Sequence, residues 1–555
     1  MFVDGDDGNQ EAVLAEILMT AGAACSISAR NPTLPQGATG GYGVAPVGAV
    51  FGEFDNLDVT RRTLDRGGSH SAARFVPIHY ARTISEIADE RRAVMRKPGG
   101  FGGGNAELGL KVFGPIFLVV GVLALCKQEA NAVPSYSRQT GLPCASCHLS
   151  PPELNAFGRK FKLDGYTFTT KATITDDKKD HNAGLQLLES LPLSVVFDTS
   201  FTATNKPQPT TQNGNFEFPQ DVSLFLAGSW GSHVGSFAQV TYDGQSDHFT
   251  WDNTDIRFAK GDGKLFGKSF AFGSTLNNNP SVEDLWNSTP AWGFPFTSTD
   301  VAPSPSAGAL INGGLAQDVA GIGGYFMWND HLYFDGTIYR SEHIGVSQPN
   351  PGTTSPFNIR GVAPYWRVAW QSVSDNNDIE IGAYGMHVKS SPMAVTGLMD
   401  SYTDWGVDFQ YNRTIPQFKN DVVTFRGTYI RENSALAATL AAGGAAQSAH
   451  HLNTVEFQGE YHFGTRVSAT AGLFGITGTA DPLLFPQAAV SGSLTGSPAS
   501  RGYILNLSWW VYQNVDLGVQ YTGYTSFNGA GTNYDGVGRN ASDNNSVYLL
   551  GRFVF

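Results

Sequence analysis

Cysteine is scarce in this chain of 555 residues, which has only four. Cys25 and Cys126 precede the export cleavage site argued below, so Cys144 and Cys147 alone remain for the mature protein. A disulfide framework is therefore excluded. Charged residues are also sparse, at 15% of the chain. The formal net charge is −13, and we expect no nucleic acid among the partners.

Glycine and aromatic residues are abundant. The sequence contains 65 Gly, 36 Phe, 20 Tyr and 10 Trp. This composition suits a turn-rich β protein with many aromatic side chains better than a helical protein. A large all-β fold is the leading expectation.

An export signal is predicted over residues 95–132. A basic start leads into about 14 nearly uninterrupted apolar residues at 112–125, too few for a spanning helix of roughly 20. Small residues at 130–132 fit cleavage before Val133, whereas a buried helix is the alternative. Residues 1–94 are hypothesised to be a disordered extension translated from a misplaced start codon, and peptide mapping of the exported protein would test this.

The clearest chemistry lies in residues 133–190, where Cys144, Cys147 and His148 form a C-x-x-C-H motif. Two thiols in this spacing add to the vinyl groups of haem, and the adjacent histidine becomes the proximal iron ligand. Thioredoxin-like chemistry would need an α/β domain, and zinc would need two further ligands. The motif therefore predicts one covalent haem c in a small, mostly α cytochrome segment.

A short helix is expected directly after the motif. Ser150 would cap it, Pro151 would be its first residue and Glu153 would complete a capping box. Gly165 would end it. Three apolar residues on one face would then shield the haem edge or form ordinary core: Leu154, Phe157 and Phe161.

The sixth position of the haem iron stays open. No methionine lies between His148 and Met327, and His181 is the nearest later histidine. His181 is therefore a candidate distal ligand. It equally fits a solvated loop, because charged residues occupy positions 176–180.

Residues 191–555 alternate apolar and polar side chains with period two, in stretches separated by turn residues. The chain ends on Phe555, as bacterial outer-membrane barrels often do. We predict a transmembrane outer-membrane β-barrel of about 16 strands, to within two. Soluble sandwiches share the dyad pattern and are the alternative fold.

Two features of the barrel bear on its lumen. Residues 277–296 break the alternation and are unusually aromatic, so we expect them to fold inward and narrow the pore near the haem, or to form a packed extracellular loop. Acidic residues on the polar face are expected to line the lumen and favour cations: Asp404, Asp408, Glu456, Glu460 and Asp516.

The sequence resembles a known family, the fused monohaem cytochrome-porins found in the outer membrane of iron-oxidising bacteria. The resemblance is carried by residues 137–148, 157–162, 277–296 and 361–367 and by the aromatic terminus. It spans nearly all of residues 133–555, whereas residues 1–94 have no counterpart.

The resemblance implies an Fe(II)-oxidising oxidoreductase in the outer membrane of a Gram-negative cell. Electrons from extracellular Fe(II) would pass through a haem held by Cys144, Cys147 and His148 to a periplasmic c-type cytochrome or copper protein. The haem segment would lie in the lumen or at the periplasmic side. Two rivals remain: a diffusion porin whose haem is structural or regulatory, and a conduit for another electron donor.

Overall fold

The computed structural model describes residues 135–171, 173–175, 186–209, 211–288, 298–342, 358–391, 397–418 and 421–555. The expected export signal and upstream extension lie outside these residues. Residues 135–171 carry two short helices, α1 (Ser135–Thr140) and α2 (Ala156–Leu163). A two-stranded antiparallel sheet follows, made of β1 (Thr173–Thr175) and β2 (Gln186–Leu188). A third helix, α3 (Ala437–Ala441), begins one of the loops between barrel strands.

A closed antiparallel barrel forms the rest of the described chain. Each strand pairs with its sequence neighbours, and the last strand pairs with the first. The first half comprises β3 (Leu193–Thr204), β4 (Asn215–Ser229), β5 (Val234–Asp243), β6 (His248–Leu265), β7 (Lys268–Asn277), β8 (Val319–Trp328) and β9 (Leu332–Ser341). After a short piece, β10 (Asn358–Ile359), come β11 (Ala363–Val373), β12 (Asn377–Ser391), β13 (Asp400–Ile415), β14 (Asp421–Leu436), β15 (Ala449–Phe463), β16 (Val467–Gly478), β17 (Ser500–Tyr512), β18 (Val515–Ser526) and β19 (Ser546–Val554).

Leaving out β1, β2 and β10, the described residues contribute 16 strands to the closed barrel, as the chain length predicts. The hairpin expected near the end of the chain is present as β17 and β18. Phe555 closes the circle, since its backbone exchanges hydrogen bonds of 2.8 and 2.9 Å with Val195. The barrel therefore has no free edge between its first and last strands.

The period-two pattern of each strand separates an apolar outer face from a polar inner face. On β11, Trp366 and Trp370 are exposed on the outside, whereas Tyr365 and Arg367, on either side of Trp366, are buried inside. Apolar side chains outside and charged side chains inside reverse the arrangement of a soluble protein and are typical of a transmembrane barrel. Among the described residues, no helix is both long enough and apolar enough to cross a membrane.

Connections at the two ends of the barrel differ in length. At the end where β3 begins and β19 finishes, turns are short, such as Phe266-Gly267 between β6 and β7. Both residues of that turn have positive φ, 52° and 76°, which is the type I′ geometry that favours glycine at its second position. The other end carries the long loops, including residues 278–318. In outer-membrane barrels the short turns face the periplasm.

The expectation that residues 277–296 fold inward is confirmed for the described part, 277–288. Every residue there is buried, and Trp286 packs with Tyr325 and Tyr333 of the inner wall. We call residues 278–288 the inward loop. Residues 289–296 lie outside the described part of the chain.

Candidate haem c site

The C-x-x-C-H motif forms a single tight turn. Cys144–Ser146 is a one-turn 3₁₀ helix, and the backbone N–H groups of Cys147 and His148 both donate to the carbonyl of Cys144 at 3.0 Å. The two thiols and the imidazole therefore project from one turn. Neither cysteine forms a disulfide, and both are partly exposed.

The helix expected directly after the motif begins later than predicted, at Ala156. Asn155 caps it, because its side-chain oxygen accepts a hydrogen bond from the N–H of Gly158 at 3.0 Å. The side-chain amide of Asn155 also donates to the carbonyl of Ser146 at 3.0 Å. Asn155 therefore contacts both the motif turn and the helix. The expectation of a Ser150 cap with a Glu153 capping box was wrong. The expectation that the chain turns at Gly165 is confirmed, since α2 ends at Leu163 and Gly165 has a φ of 69°.

The predicted apolar face of this helix is divided. Phe161 is buried against Tyr136 and Tyr166, with ring centroids 5.0 and 5.8 Å apart. Phe157 is 44% exposed and contacts Phe168, which is 47% exposed. Phe161 is therefore part of the packed interior of residues 135–171, whereas Phe157 is exposed.

The apoprotein chemistry of the motif fits covalent haem. Burial raises the pKa of the Cys144 thiol, and burial together with the charge of Cys144 raises the pKa of Cys147 to about 11. Burial lowers the pKa of His148, against a smaller opposing effect of the Glu153 and Pro152 backbone, so the ring is neutral and able to ligate iron. Nδ1 of His148 is buried and forms no hydrogen bond with the described part of the chain. Two free thiols and a neutral imidazole on one turn fit a haem c attachment.

Residues 135–171 are anchored to inward-facing groups of the barrel. Nη2 of Arg159 donates to Oδ2 of Asp378 on β12 at 2.6 Å, and both side chains are largely buried. The hydroxyl of Tyr166 donates to Asp255 on β6 at 2.7 Å. The hydroxyl of Ser135 donates to the carbonyl of Ala227 on β4 at 2.5 Å. The segment is thus attached to strands on different sides of the barrel.

The inward loop is held by buried ion pairs. Arg367 on β11 lies 3.3 Å from Asp284 of the loop, 3.0 Å from Glu380 and 2.7 Å from Asp408. Arg257 on β6 lies 2.7 Å from Asp255 and 3.2 Å from Glu283 of the loop. The members of these clusters are almost fully excluded from solvent.

The inward loop and residues 135–171, which we call the N-terminal segment, also contact each other. Trp286 lies between two guanidinium groups, 5.8 Å from Arg159 and 5.3 Å from Arg367. Lys162 donates a hydrogen bond to the carbonyl of Val282. One continuous packed region therefore connects the motif-bearing segment with the barrel wall.

Most acidic residues expected at the lumen are buried on the inner face, as predicted: Asp404, Asp408, Glu460 and Asp516. Glu456 is half-buried on the same face of β15. Several of these side chains are engaged in internal contacts, since Asp404 accepts a hydrogen bond from the N–H of Ile311 at 2.7 Å. His181, the candidate distal ligand, lies outside the described residues.

Sequence reasoning missed one grouping. Glu153, Glu460 and His462 meet inside the barrel, with ligand atoms within 4.8 Å of one another. The alternation on β15 predicts that Glu460 and His462 face inward, but no sequence signal links them to Glu153, 307 positions before Glu460.

Comparisons with known proteins identify no family. No family model matches the sequence, and no curated protein matches it. Solved structures with some similarity include OmpF of Salmonella typhi in complex with daunomycin, at 10% identity and a TM-score of 0.39, covering 65% of this chain and 97% of that one. The outer membrane channel DcaP of Acinetobacter baumannii, at 11% identity and a TM-score of 0.39, covers 65% and 96%. An anion-selective porin from Comamonas acidovorans, at 13% identity and a TM-score of 0.38, covers 65% and 98%.

At these identities and TM-scores, similarity carries no conclusion about what this chain binds. The strand order and closure of the chain itself define the barrel. Membership of the cytochrome-porin family stays a prediction from the sequence.

Proposed function

We propose that this protein is an outer-membrane electron conduit that carries one haem c on Cys144, Cys147 and His148. It would take electrons from extracellular Fe(II) and deliver them to a periplasmic c-type cytochrome or copper protein. The observation that carries the proposal is a C-x-x-C-H turn with free thiols, on a segment attached to the inner face of a membrane barrel. Bound haem would supply a one-electron redox centre at this position.

The packed interior supports electron transfer over the passage of solutes. Arg257, Arg367 and Glu283 are 0% exposed, so the described wall around these three side chains is packed. Electrons pass through packed protein, whereas hydrated solutes require a continuous water-filled path.

The chain's own residues define how the site would work. Asn155 holds the motif-bearing turn to α2, Arg159 holds α2 to the barrel, and Phe157 and Phe168 form an exposed aromatic pair. Residues 133–555 carry 35 Asp and Glu against 24 Lys and Arg, and this net charge of −11 attracts cations such as Fe(II) to the protein. Fe(II) would leave as Fe(III) after losing one electron, and no general base or nucleophile is required.

Purified protein tests the haem and the donor together. Wild type should show a Soret band that survives extraction with acidified organic solvent, and stopped-flow mixing with Fe(II) should reduce the haem. Cys144→Ser and Cys147→Ser should lose stable attachment, whereas Ser146→Ala, between the two cysteines, should retain it. A pigment that wild type releases into acidified solvent would contradict the proposal.

The barrel itself favours a second candidate, a diffusion porin whose haem is structural or regulatory, because 16 strands are enough to enclose an aqueous channel. Planar-bilayer conductance separates the two. High conductance, together with a haem that Fe(II) does not reduce, would favour the porin. Low conductance with haem reduced faster by another metal or a surface cytochrome would keep the conduit and change the donor.

A further inference from the structure

Glu153, Glu460 and His462 form a compact buried cluster between the N-terminal segment and the barrel wall. Glu153 lies in the turn before α2, and the other two residues lie on the inner face of β15. We call these three residues the EEH cluster. Their ligand atoms lie within 4.8 Å of one another, and Nε2 of His462 is 3.6 Å from Oε2 of Glu460. With metal–ligand bonds of about 2.1 Å, neighbouring ligand atoms lie roughly 3 to 3.5 Å apart, so small side-chain movements would complete a coordination shell.

Glu153 supplies a second and independent observation. Its side chain is 0% exposed, and its Oε2 forms no hydrogen bond of ordinary geometry with the described part of the chain, although its carboxyl group lies within hydrogen-bonding reach of that of Glu460. Oε2 of Glu460 is also buried without a hydrogen bond. A buried carboxylate oxygen without a partner is costly, so each such atom needs an explanation.

The EEH cluster has two further polar neighbours on the barrel wall. Arg426 on β14 forms an ion pair with Oε1 of Glu153, and this contact leaves Oε2 for another partner. Nε2 of His462 lies 3.4 Å from the hydroxyl of Thr424, a long and weak hydrogen bond. Two carboxylates thus face one neighbouring guanidinium, with an imidazole beside them.

We infer that the EEH cluster binds a divalent first-row transition-metal ion, of the class that includes Mn(II), Fe(II), Co(II) and Zn(II). Two carboxylate oxygens and one imidazole nitrogen suit these ions, whereas Ca²⁺ and Mg²⁺ prefer oxygen ligands alone. The inference depends on the cluster residues and not on haem, so it holds whether or not the bound ion is an electron donor.

Equilibrium dialysis of the purified full-length protein against Mn(II) tests the inference. Wild type should bind one tight equivalent. Glu460→Gln and His462→Gln should each weaken that site by more than about 100-fold, because even second-shell changes cost about 10- to 100-fold. Glu456→Gln is the matched control, since Glu456 is on the same face of the same strand but outside the cluster. Equal binding by wild type and Glu460→Gln would overturn the inference.

Arg426→Gln should change the affinity for Mn(II) in the opposite direction. Removing a cation beside Glu153 should tighten Mn(II) binding by about 10-fold, since a nearby like charge opposes the ion. Binding that weakens in this variant would contradict the proposed ligand set.

If the β15 variants do not fold, X-ray absorption spectroscopy of bound Zn(II) still tests the inference on the wild-type protein. One equivalent of Zn(II) added to wild-type haem-loaded protein should show a nitrogen and oxygen shell with imidazole scattering. A shell without imidazole would overturn the inference, because His462 is one of the three proposed ligands. Haem reduction by Fe(II), measured on the same samples, reports separately on the proposed function.

Discussion

The N-terminal segment and the inward loop both contact inward-facing residues of the barrel, but they are held in different ways. Residues 277–288 are all buried, and two arginines of the wall bind loop carboxylates with no exposure to solvent. The N-terminal segment is attached on one side by Arg159 and Tyr166. Its other side exposes Phe157 and Phe168.

The difference separates structural from reactive parts of the interior. Charges buried on all sides hold a loop in place but offer nothing to a second molecule. The segment keeps two partly exposed thiols and two exposed aromatic side chains. Substitutions that weaken each element in turn measure the separate roles of the two.

Arg367→Met should have the largest effect, because it leaves Asp284, Glu380 and Asp408 buried without their common partner. Removing one side of a buried ion pair costs about 3–5 kcal/mol. We expect a lower unfolding temperature by heat-modifiability on SDS–PAGE and a higher single-channel conductance as the inward loop detaches.

Arg413→Met is the control for Arg367→Met, since Arg413 is an exposed arginine on β13. This control should change neither the unfolding temperature nor the single-channel conductance. Wild-type conductance in Arg367→Met, despite lower stability, would show that the inward loop does not restrict the lumen.

Arg159→Gln should weaken the attachment of the N-terminal segment to the barrel but not that of the inward loop. It removes a 2.6 Å charged hydrogen bond to Asp378, which retains a 3.2 Å contact from Asn412. A charged hydrogen bond of this kind contributes about 1.5–3 kcal/mol. We expect faster proteolysis near residues 150–170 with little change in barrel melting. Lys160→Gln, at an exposed neighbouring position, is the control. Equal proteolysis of the two variants would contradict the anchoring role of Arg159.

Much of this architecture follows from the sequence because the side-chain period of a strand is two. That period predicts the barrel, the hairpin of β17 and β18, and the inward direction of Asp404, Asp408 and Glu460. The C-x-x-C-H motif is likewise local, so its single turn is predictable from five consecutive residues.

What the sequence leaves undetermined is which inward side chains meet. Period two predicts that Arg367 faces the lumen but not that it binds Asp284, 83 positions earlier. The start of α2 was likewise not predictable from the sequence. Asn155 caps this helix in place of Ser150, because it also contacts Ser146 in the preceding turn. Tertiary contacts therefore override a local capping signal and free Glu153 for the EEH cluster.

Gly158→Ala tests the contact between α2 and the motif. A Cβ at position 158 would lie 2.2 Å from the carbonyl oxygen of Cys147, and backbone cannot move aside cheaply. Overpacking of this kind costs about 1–3 kcal/mol. We expect a lower yield of haem-loaded protein, measured as the ratio of Soret to protein absorbance. Gly336→Ala, where a Cβ would meet nothing within 4 Å, should leave the ratio unchanged. A normal ratio in Gly158→Ala would show that α2 can move away from the turn.

Asn155→Ala should have the smallest effect on stability and is the sharpest test of positioning. Losing a helix cap costs about 1 kcal/mol, and the variant also loses the hydrogen bond to the carbonyl of Ser146, next to Cys147. We expect a shifted haem midpoint potential, measured by redox titration, with the unfolding temperature of the barrel within error of wild type. Asn155→Asp is the control, because it keeps the cap acceptor but loses the amide donor. If the role of Asn155 is to cap α2, Asn155→Asp should have the wild-type potential; if it is to hold the motif turn, the aspartate variant should shift with the alanine variant.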